Sequence, residues 1–192
     1  MVKEPRPGRV KSRLGRETGM TSAAWWFRHQ VRGLLCRLED PRWDLVLAVT
    51  PDREGLRSRV WPAHLPRLPQ GRGNLGDRMA RALASSHSGP VCVIGADIPG
   101  IRRDHIVRAF GTLGDYEAVL GPAPDGGYWL IGLKNARPPP KSMFLNVRWS
   151  SEHAMTDTVR SLGDMSIAFV ETLRDVDTVA DLRMTAPHAR DT

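Results

Sequence analysis

The sequence predicts one α/β domain built around a parallel or mixed sheet. The chain has 192 residues, which is enough for one well-buried domain. Three short apolar runs, at 43–50, 91–94 and 117–121, are each followed by proline or glycine, as strand ends often are. Between these runs lie segments whose apolar residues recur at helical spacing. Such alternation of strands and helices is typical of α/β proteins.

Composition and charge narrow the possible functions. The apolar content of 41% is ordinary for a globular protein, and no apolar run approaches the length of a membrane span. We therefore expect a cytoplasmic protein without a membrane partner. The net charge is +7, but the basic residues are dispersed and no aromatic residues alternate with them as a nucleic-acid surface would require. The surplus of arginine fits a phosphorylated small molecule equally well, and we expect no nucleic-acid partner.

The first basic segment, residues 3–15, contains two prolines, two glycines and five cations. We predict a loop here, because Pro5, Pro7 and Gly8 disfavour regular structure. Cationic side chains and free backbone N–H groups in such a loop are suited to binding an anion. The alternative is a solvated N-terminal tail.

The next elements are a helix from about Ala23 to Leu38 and a strand within 43–50. Asp52 is interpreted as a turn residue, and residues 53–73 are expected to be irregular. Asn74 is the expected cap of a helix that continues to about residue 84.

A dinucleotide-binding fingerprint, G-x-G-x-x-G, occurs at Gly71, Gly73 and Gly76. That motif must follow a strand directly, and residues 61–70 contain three prolines. We expect no strand there, and therefore interpret the match as coincidental.

The apolar run Val91–Ile94 leads into Gly95 and Asp97 and stops at Pro99. We predict a strand that is buried on both faces, with Asp97 at its carboxyl end. Ligands of open α/β sheets bind at that edge, where a carboxylate is well placed to hold a divalent cation. The alternative is that Asp97 only caps the next helix.

The remaining chain supplies further elements and one more candidate segment. Helices are predicted over 102–113 and about 150–163, and strands over 117–121 and 167–170. Asp125-Gly126-Gly127 is either a hairpin turn or a glycine-rich surface that lets a ligand approach the backbone, and both can hold together. Thr178 and Asp181 have the spacing of a capping box.

Five segments in order resemble one family. They are Pro5–Leu14, Gln70–Met79, Gly95–Pro99, Gly121–Tyr128 and Asp175–Thr178. Together they resemble the radical-SAM/selenodomain-associated transferases, glycosyltransferase-like proteins sometimes named for arsenosugar biosynthesis. The chain is more distantly similar to the guanylyltransferases that activate phospholactate and molybdopterin. The resemblance covers nearly the whole chain.

The resemblance implies a nucleotide-diphospho-sugar transferase fold of the GT-A, Rossmann-like type, a three-layer α/β/α sandwich around a mixed sheet within a single domain, 1–192. It also implies a role for each matching residue. The phosphates would be bound by Gly8, Lys11 and Arg13. The base or ribose would lie near Gln70 and Gly71, with Arg78 close by, and the acceptor would be bound by Gly126, Gly127 and Tyr128. Asp97 would bind the metal, and the expected catalytic residues are Asp97, Lys11 and Asp125. Asp175 and Asp177 are expected to be mainly structural.

The beginning of the chain departs from the family pattern. In this fold a hydrophobic strand precedes the nucleotide loop, whereas here only Met1 and Val2 precede Lys3. We therefore expect a truncated first strand, either because the start was assigned downstream of the true one, which we favour, or because the protein lacks most of that strand.

The function implied by the resemblance is transfer from a nucleotide-activated donor, with Mg²⁺ or Mn²⁺ as cofactor. In the favoured version, a nucleotide sugar donates its glycosyl group to a small-molecule acceptor. In a second version, a nucleoside triphosphate donates a nucleotidyl group to a phosphorylated small molecule. A third possibility, from another class, is a nucleotide-binding protein with impaired catalysis.

Overall fold

Seven strands form two sheets in the computed structural model, which describes residues 1–85, 89–136 and 139–185. The strands are β1 Val2–Lys3, β2 Leu47–Thr50, β3 Arg67–Pro69, β4 Val91–Ile94, β5 Ala118–Pro122, β6 Tyr128–Leu133 and β7 Ile167–Phe169. The first sheet is parallel and has the order β1-β2-β3. The second is mixed, in the order β4-β6-β5-β7: β6 runs antiparallel to both β4 and β5, and β7 runs parallel to β5. Strands β4, β5 and β7 therefore share one direction, and their carboxyl ends lie at one edge.

The two sheets meet at β1 and β4. The amino group of Met1 donates to the carbonyl oxygen of Ile94 at 2.6 Å. Strand β4 is the outer strand of its own sheet, and its four residues are only half-buried. The prediction of a strand buried on both faces was right in part. Cys92 and Ile94 pack against the buried residues on one face, and Val91 and Val93 pack against those on the other. All four residues stay partly exposed, because β4 has no neighbouring strand of its own sheet on one side and borders a pocket there.

Helices cover both faces of the sheets. They are α1 Ser12–Thr18, α2 Met20–Leu38, α3 Asp52–Arg57, α4 Leu75–Leu83, α5 Arg103–Thr112, α6 Ala154–Ser161 and α7 Val179–Thr185. One buried cluster joins α2 and α5 to Val119 and Leu130, and a second joins α4 and α6 to Leu120 and Ile131. Because neighbouring strand residues point to opposite faces, the two clusters define a three-layer arrangement. No helix in the described part of the chain is both long and apolar enough to cross a membrane.

Three elements lie where the sequence predicted irregular structure. Helix α1 occupies part of the predicted loop 3–15, because the helix starts at Ser12, beyond Pro5, Pro7 and Gly8. Helix α3 starts at Asp52, which was interpreted as a turn residue, and β3 lies within the proline-rich segment 53–73. Proline is compatible with β3 because this strand lies at the edge of its sheet.

The strand that was expected to be absent before Gly71 is therefore present as β3. The glycine motif still lacks the open backbone that a pyrophosphate needs. A Cβ at Gly71 would contact the guanidinium group of Arg81, and a Cβ at Gly73 would contact the carboxylate of Asp77. Strand β4, which follows α4, also belongs to the other sheet. The segment is thus no dinucleotide-binding unit.

Two predicted caps are confirmed. The side chain of Asn74 accepts from the backbone N–H of Asp77 at 3.0 Å, and Asp77 accepts in return from Asn74 at 2.9 Å. The hydroxyl group of Thr178 accepts from the N–H of Asp181 at 3.2 Å, and Asp181 accepts from the N–H of Thr178 at 2.9 Å. These reciprocal bonds satisfy backbone donors at the starts of α4 and α7.

A buried carboxylate holds the segment that leads into α6. Asp157 accepts from the backbone N–H of Arg148 at 3.1 Å and from its guanidinium group at 2.8 and 2.9 Å. These bonds lower the pKa of Asp157 well below its ordinary value, although burial opposes the shift. The charged form is therefore favoured by folding, and the stability that it provides is present above the unfolded-state pKa of about 3.9 and is lost as pH falls below that value.

We expect the Asp157→Asn substitution to destabilise the protein at pH 7 and to destabilise it less at pH 3. At the lower pH the unfolded wild-type chain is already protonated at this position, so the charged form contributes less to folding. Urea unfolding at both pH values measures the difference in the free energy of unfolding, with the exposed Asp164→Asn as control. An equal loss at pH 7 and pH 3 would contradict this assignment.

Candidate functional site

Four charged side chains from distant parts of the sequence meet at the carboxyl edge of the second sheet. Asp97 follows β4, and Asp175 and Asp177 follow β7, so parallel strands bring them to the same edge. Carboxylate oxygens of these three residues all lie within 4.8 Å of one another. Lys11, at the residue before α1, extends its ammonium group among them.

The ammonium group of Lys11 contacts all three carboxylates. Its Nζ atom donates to Asp97 Oδ2 at 2.6 Å and to Asp177 Oδ1 at 2.7 Å, and it lies 3.9 Å from Asp175 Oδ2. The side chain is only 6% exposed. Burial by itself would lower the pKa of Lys11, but attraction to Asp97 and the bonds to both partners outweigh it and raise the pKa. Lys11 is therefore a fixed positive charge at the centre of the cluster.

Backbone contacts fix Asp97 in this position. Its carbonyl oxygen accepts from the N–H of Val176 at 3.3 Å, which ties the segment after β4 to the segment after β7. A Cβ at Gly95 would lie 3.2 Å from Asp97 Oδ1 and 2.8 Å from Ile98 Cδ1, so glycine leaves room for the carboxylate. Helix α5 begins six residues later, at Arg103, so Asp97 is not its cap.

Asp175 and Asp177 are candidate site residues that the sequence reasoning did not select, because it interpreted them as mainly structural. Val176 between them is fully buried, and Asp175 and Asp177 both lie beside Lys11. Burial raises the pKa of Asp175 to about 6, attraction to Lys11 opposes this rise, and repulsion by Asp177, Asp97 and Asp125 adds to it. The sequence signal that could have identified them is the D-x-D pattern after β7. The carboxyl end of this strand lies at the same edge of the sheet as Asp97.

A pocket of about 460 Å³ borders the cluster. Asp97, Asp177 and Lys11 lie at its acidic end, and Arg9, Ser12 and Arg13 contribute cationic and polar groups next to them. The lining is otherwise largely apolar, with Leu75, Met79, Val93, Tyr128 and Trp129 among its residues. The pocket therefore joins a charged end to an apolar end, an arrangement that suits a ligand with a phosphorylated part and a less polar part.

The structure brings some of the predicted site residues to this pocket and leaves others outside it. Lys11, Arg13, Gln70, Asp97 and Tyr128 line it. The lining does not include Gly8, Gly71, Arg78, Asp125, Gly126 and Gly127.

The predicted base- or ribose-binding residues are mostly engaged with the backbone. The buried amide of Gln70 donates to the carbonyl oxygens of Val2 at 3.2 Å and Ala48 at 2.9 Å, so it joins β1 to β2. The guanidinium group of Arg78 donates to the carbonyl oxygen of Gly73 at 3.1 Å. The N–H of Gly71 donates to Asp52 at 3.1 Å. Gln70 thus supports the wall of the pocket from within the sheet.

The segment Asp125-Gly126-Gly127 is a turn between the antiparallel strands β5 and β6, as predicted. Asp125 accepts from the N–H of Gly127 at 3.0 Å, and Gly126 has a φ of 83°, a conformation that favours glycine. A Cβ at Gly126 would overlap the backbone of Glu152. The turn therefore packs closely against the segment before α6, and the carbonyl oxygen of Gly126 accepts from Met155 at 3.0 Å.

We expect the Gly126→Ala substitution to cost about 1–3 kcal/mol of stability, because the added methyl group strains the positive φ and overlaps Glu152. Urea unfolding measures this loss. Gly111→Ala is the matched control: nothing lies within 4 Å of a Cβ at this exposed position in α5, and alanine there should be neutral or stabilise by about 0.5–1 kcal/mol. Equal stability of the two variants would contradict the close packing of the turn.

Comparison with known proteins matches the chain to a family and to solved structures. Residues 35–151 match the family described as "Uncharacterized protein conserved in bacteria (DUF2064)". The chain is 30% identical to a protein from Desulfovibrio desulfuricans G20 whose crystal structure carries the name "putative nucleotide-diphospho-sugar transferase". The likeness covers 100% of this chain and 86% of that one, with a TM-score of 0.85. No curated protein matches the chain.

These two matches confirm the predicted fold class and place the chain in a family. The likeness to the Desulfovibrio desulfuricans protein spans both sheets and all the described helices. At this identity and TM-score the two chains share the nucleotide-diphospho-sugar transferase fold. The family match runs from within α2 to the segment before α6, and it includes Asp97 and the turn at Asp125. The chain therefore belongs to the DUF2064 family of proteins conserved in bacteria.

Proposed function

We propose that this protein is a metal-dependent transferase that moves a glycosyl group from a nucleotide sugar to a small acceptor. The observation that carries the proposal is the cluster of Asp97, Asp175 and Asp177 around Lys11, at the charged end of a pocket with room for a nucleotide-sized ligand. The likeness to a protein named as a nucleotide-diphospho-sugar transferase supports the choice of donor.

The donor atoms of the cluster fit a hard divalent cation. Mg²⁺ and Mn²⁺ prefer carboxylate oxygens, and three such groups lie close enough together to share one ion. The chain also places a cation of its own here, the ammonium group of Lys11. Asp97, Asp175 and Asp177 would thus hold the metal, which would neutralise the diphosphate as it leaves the sugar.

The basic side chains of the pocket would bind the phosphates of the donor. Arg13 lies 3.2 Å from Asp177 and is largely exposed, so it can turn towards a ligand. Arg9 and Ser12 line the same part of the pocket. Positive groups placed where negative charge develops stabilise the transition state without having to reorganise.

The acceptor would enter from the side of the turn at Asp125. This carboxylate lies near enough to the cluster to raise the pKa of Asp175. A carboxylate in that position would orient the attacking hydroxyl group. The hydroxyl group of Tyr128 accepts from Thr158 Oγ1 at 3.3 Å, so its ring is held at the pocket wall, where it would pack against the sugar or the acceptor.

Calorimetry with Mn²⁺ tests the proposal by comparing nucleotide sugars with nucleoside triphosphates. We expect nucleotide sugars to bind only when Mn²⁺ is present, and nucleoside diphosphate to be released when acceptors are added. Metal-dependent binding of triphosphates alone would favour nucleotidyl transfer. Binding of nucleotide sugars without any release would favour a catalytically impaired protein, and no binding of either donor would contradict the proposal.

A further inference from the structure

Lys11 and a divalent cation would need the same carboxylate groups. The ammonium group already occupies Asp97 Oδ2 at 2.6 Å and Asp177 Oδ1 at 2.7 Å, two of the three carboxylates that could hold a metal. The side chain is nearly buried, so water does not screen these contacts strongly. A dication placed among the same carboxylates would also repel the ammonium group.

We propose that Lys11 is an internal cation that competes with the metal and leaves the carboxylates when a nucleotide binds. This inference rests on the proposed function. In the protein without ligand, the ammonium group balances the repulsion among Asp97, Asp175 and Asp177. When the nucleotide and the metal arrive together, the metal takes over that role and the ammonium group turns to the phosphates.

The pocket provides the second position that this movement requires. Lys11 lines the pocket together with Arg9, Ser12 and Arg13, so phosphates bound beside these residues would lie within reach of its long side chain. A lysine ammonium group is a compact charge on a flexible stem, which can exchange carboxylate for phosphate partners without movement of the backbone. Arg13 is poised in the same way, with one contact to Asp177 at 3.2 Å and most of its side chain exposed.

The competition has a thermodynamic consequence. Metal alone must displace the ammonium group without offering it a new partner, so it binds weakly. A nucleotide supplies that partner, so each ligand strengthens the binding of the other by the same factor. Lys11 would thereby prevent the carboxylates from retaining a metal ion when no donor is present.

Titration with Mn²⁺ alone, followed by the electron paramagnetic resonance signal of the free ion, tests the competition. We expect Lys11→Met to bind Mn²⁺ at least about tenfold more tightly than the wild-type protein, because the competing charge has been removed. Lys134→Met is the matched control: it removes the same charge from a lysine that contacts the backbone of Gly114, and its Mn²⁺ affinity should equal that of the wild type. Adding Asp97→Asn to Lys11→Met should abolish the gain.

A second pair of variants covers the possibility that three unbalanced carboxylates prevent Lys11→Met from folding. Asp175→Asn removes the carboxylate that lies farthest from the ammonium group, and Lys11→Met is then introduced into that background. The same gain of at least about tenfold is expected between these two proteins. Equal or weaker Mn²⁺ binding after the loss of Lys11, in either background, would overturn the inference.

Titration of the wild-type protein with nucleotide sugar and Mn²⁺ separates this inference from the proposed function. If wild type binds the donor with Mn²⁺ but Lys11→Met gains no affinity for Mn²⁺, only the competition is wrong. If wild type binds no nucleotide at all, the proposed function and the movement towards phosphate both fail. Lys11→Met could also gain affinity for Mn²⁺ while Mn²⁺ and nucleotide strengthen each other's binding by the same factor as in the wild type. That result would contradict the movement of Lys11 towards phosphate.

Discussion

Replacing Asp97 with asparagine is expected to lower the rate of donor cleavage by on the order of 10²- to 10³-fold, which corresponds to about 3–4 kcal/mol of transition-state stabilisation. The substitution preserves the shape of the side chain and removes the charge that would hold the metal. It also leaves Lys11 with Asp177 as its remaining partner within hydrogen-bonding distance among the described residues. Metal-dependent binding of the nucleotide should weaken together with the rate.

Release of nucleoside diphosphate from a nucleotide sugar, with water as the acceptor, measures this effect before the natural acceptor is known. Asp115→Asn is the control, because it removes the same charge from an exposed turn before β5. That turn precedes Ala118, which pairs with Leu133, whereas Asp97 follows the opposite end of the sheet. Unchanged donor cleavage in Asp97→Asn would contradict the role of this carboxylate.

Replacing Trp129 with alanine is expected to cost about 3–5 kcal/mol of stability, the largest structural effect that we predict. The side chain is only 2% exposed, and its indole N–H donates to the carbonyl oxygen of Glu171 at 2.8 Å. Its ring fills the space above Gly121, where a Cβ would overlap the indole. The substitution would leave both a cavity and an unpaired carbonyl group between β6 and the segment that leads to Asp175.

Urea unfolding of Trp129→Ala should be compared with that of Trp25→Ala. Trp25 is 63% exposed and contacts His29, so its loss should change the free energy of unfolding by less than about 0.5 kcal/mol. Similar losses in the two variants would show that Trp129 is not the packing centre that the structure indicates. Retention of Mn²⁺ binding in folded Trp129→Ala would separate its effect on stability from an effect on the site.

Much of the fold could be predicted because strong local patterns agree with the tertiary structure. The apolar positions of α2 recur at helical spacing over about four turns, and they are the positions that become buried. The turn at Asp125 has residues that allow a positive φ, and it joins antiparallel strands as predicted. Elements as short as α1, α3 and β3 could not be predicted in this way, since three to seven residues give too little pattern.

The candidate site was predicted in part, residue by residue. Lys11, Arg13 and Asp97 were selected from the motifs that carry the family resemblance, and the structure places them at one pocket. Gly8 and Arg78 were identified in the same way and do not line it. A motif indicates that residues act in one region, but the direction of each side chain depends on neighbours elsewhere in the chain, as the contact of Arg78 with Gly73 illustrates.

The sequence by itself determined that Asp97 would lie at the end of a strand, because an apolar run followed by glycine and proline allows little else. Only the tertiary structure decided what surrounds that carboxylate. Asp175 and Asp177 reach it because β7 pairs in parallel with β5, and Lys11 reaches all three from 86 positions before Asp97. These charges are far apart in sequence and become strong partners only when folding removes water from between them.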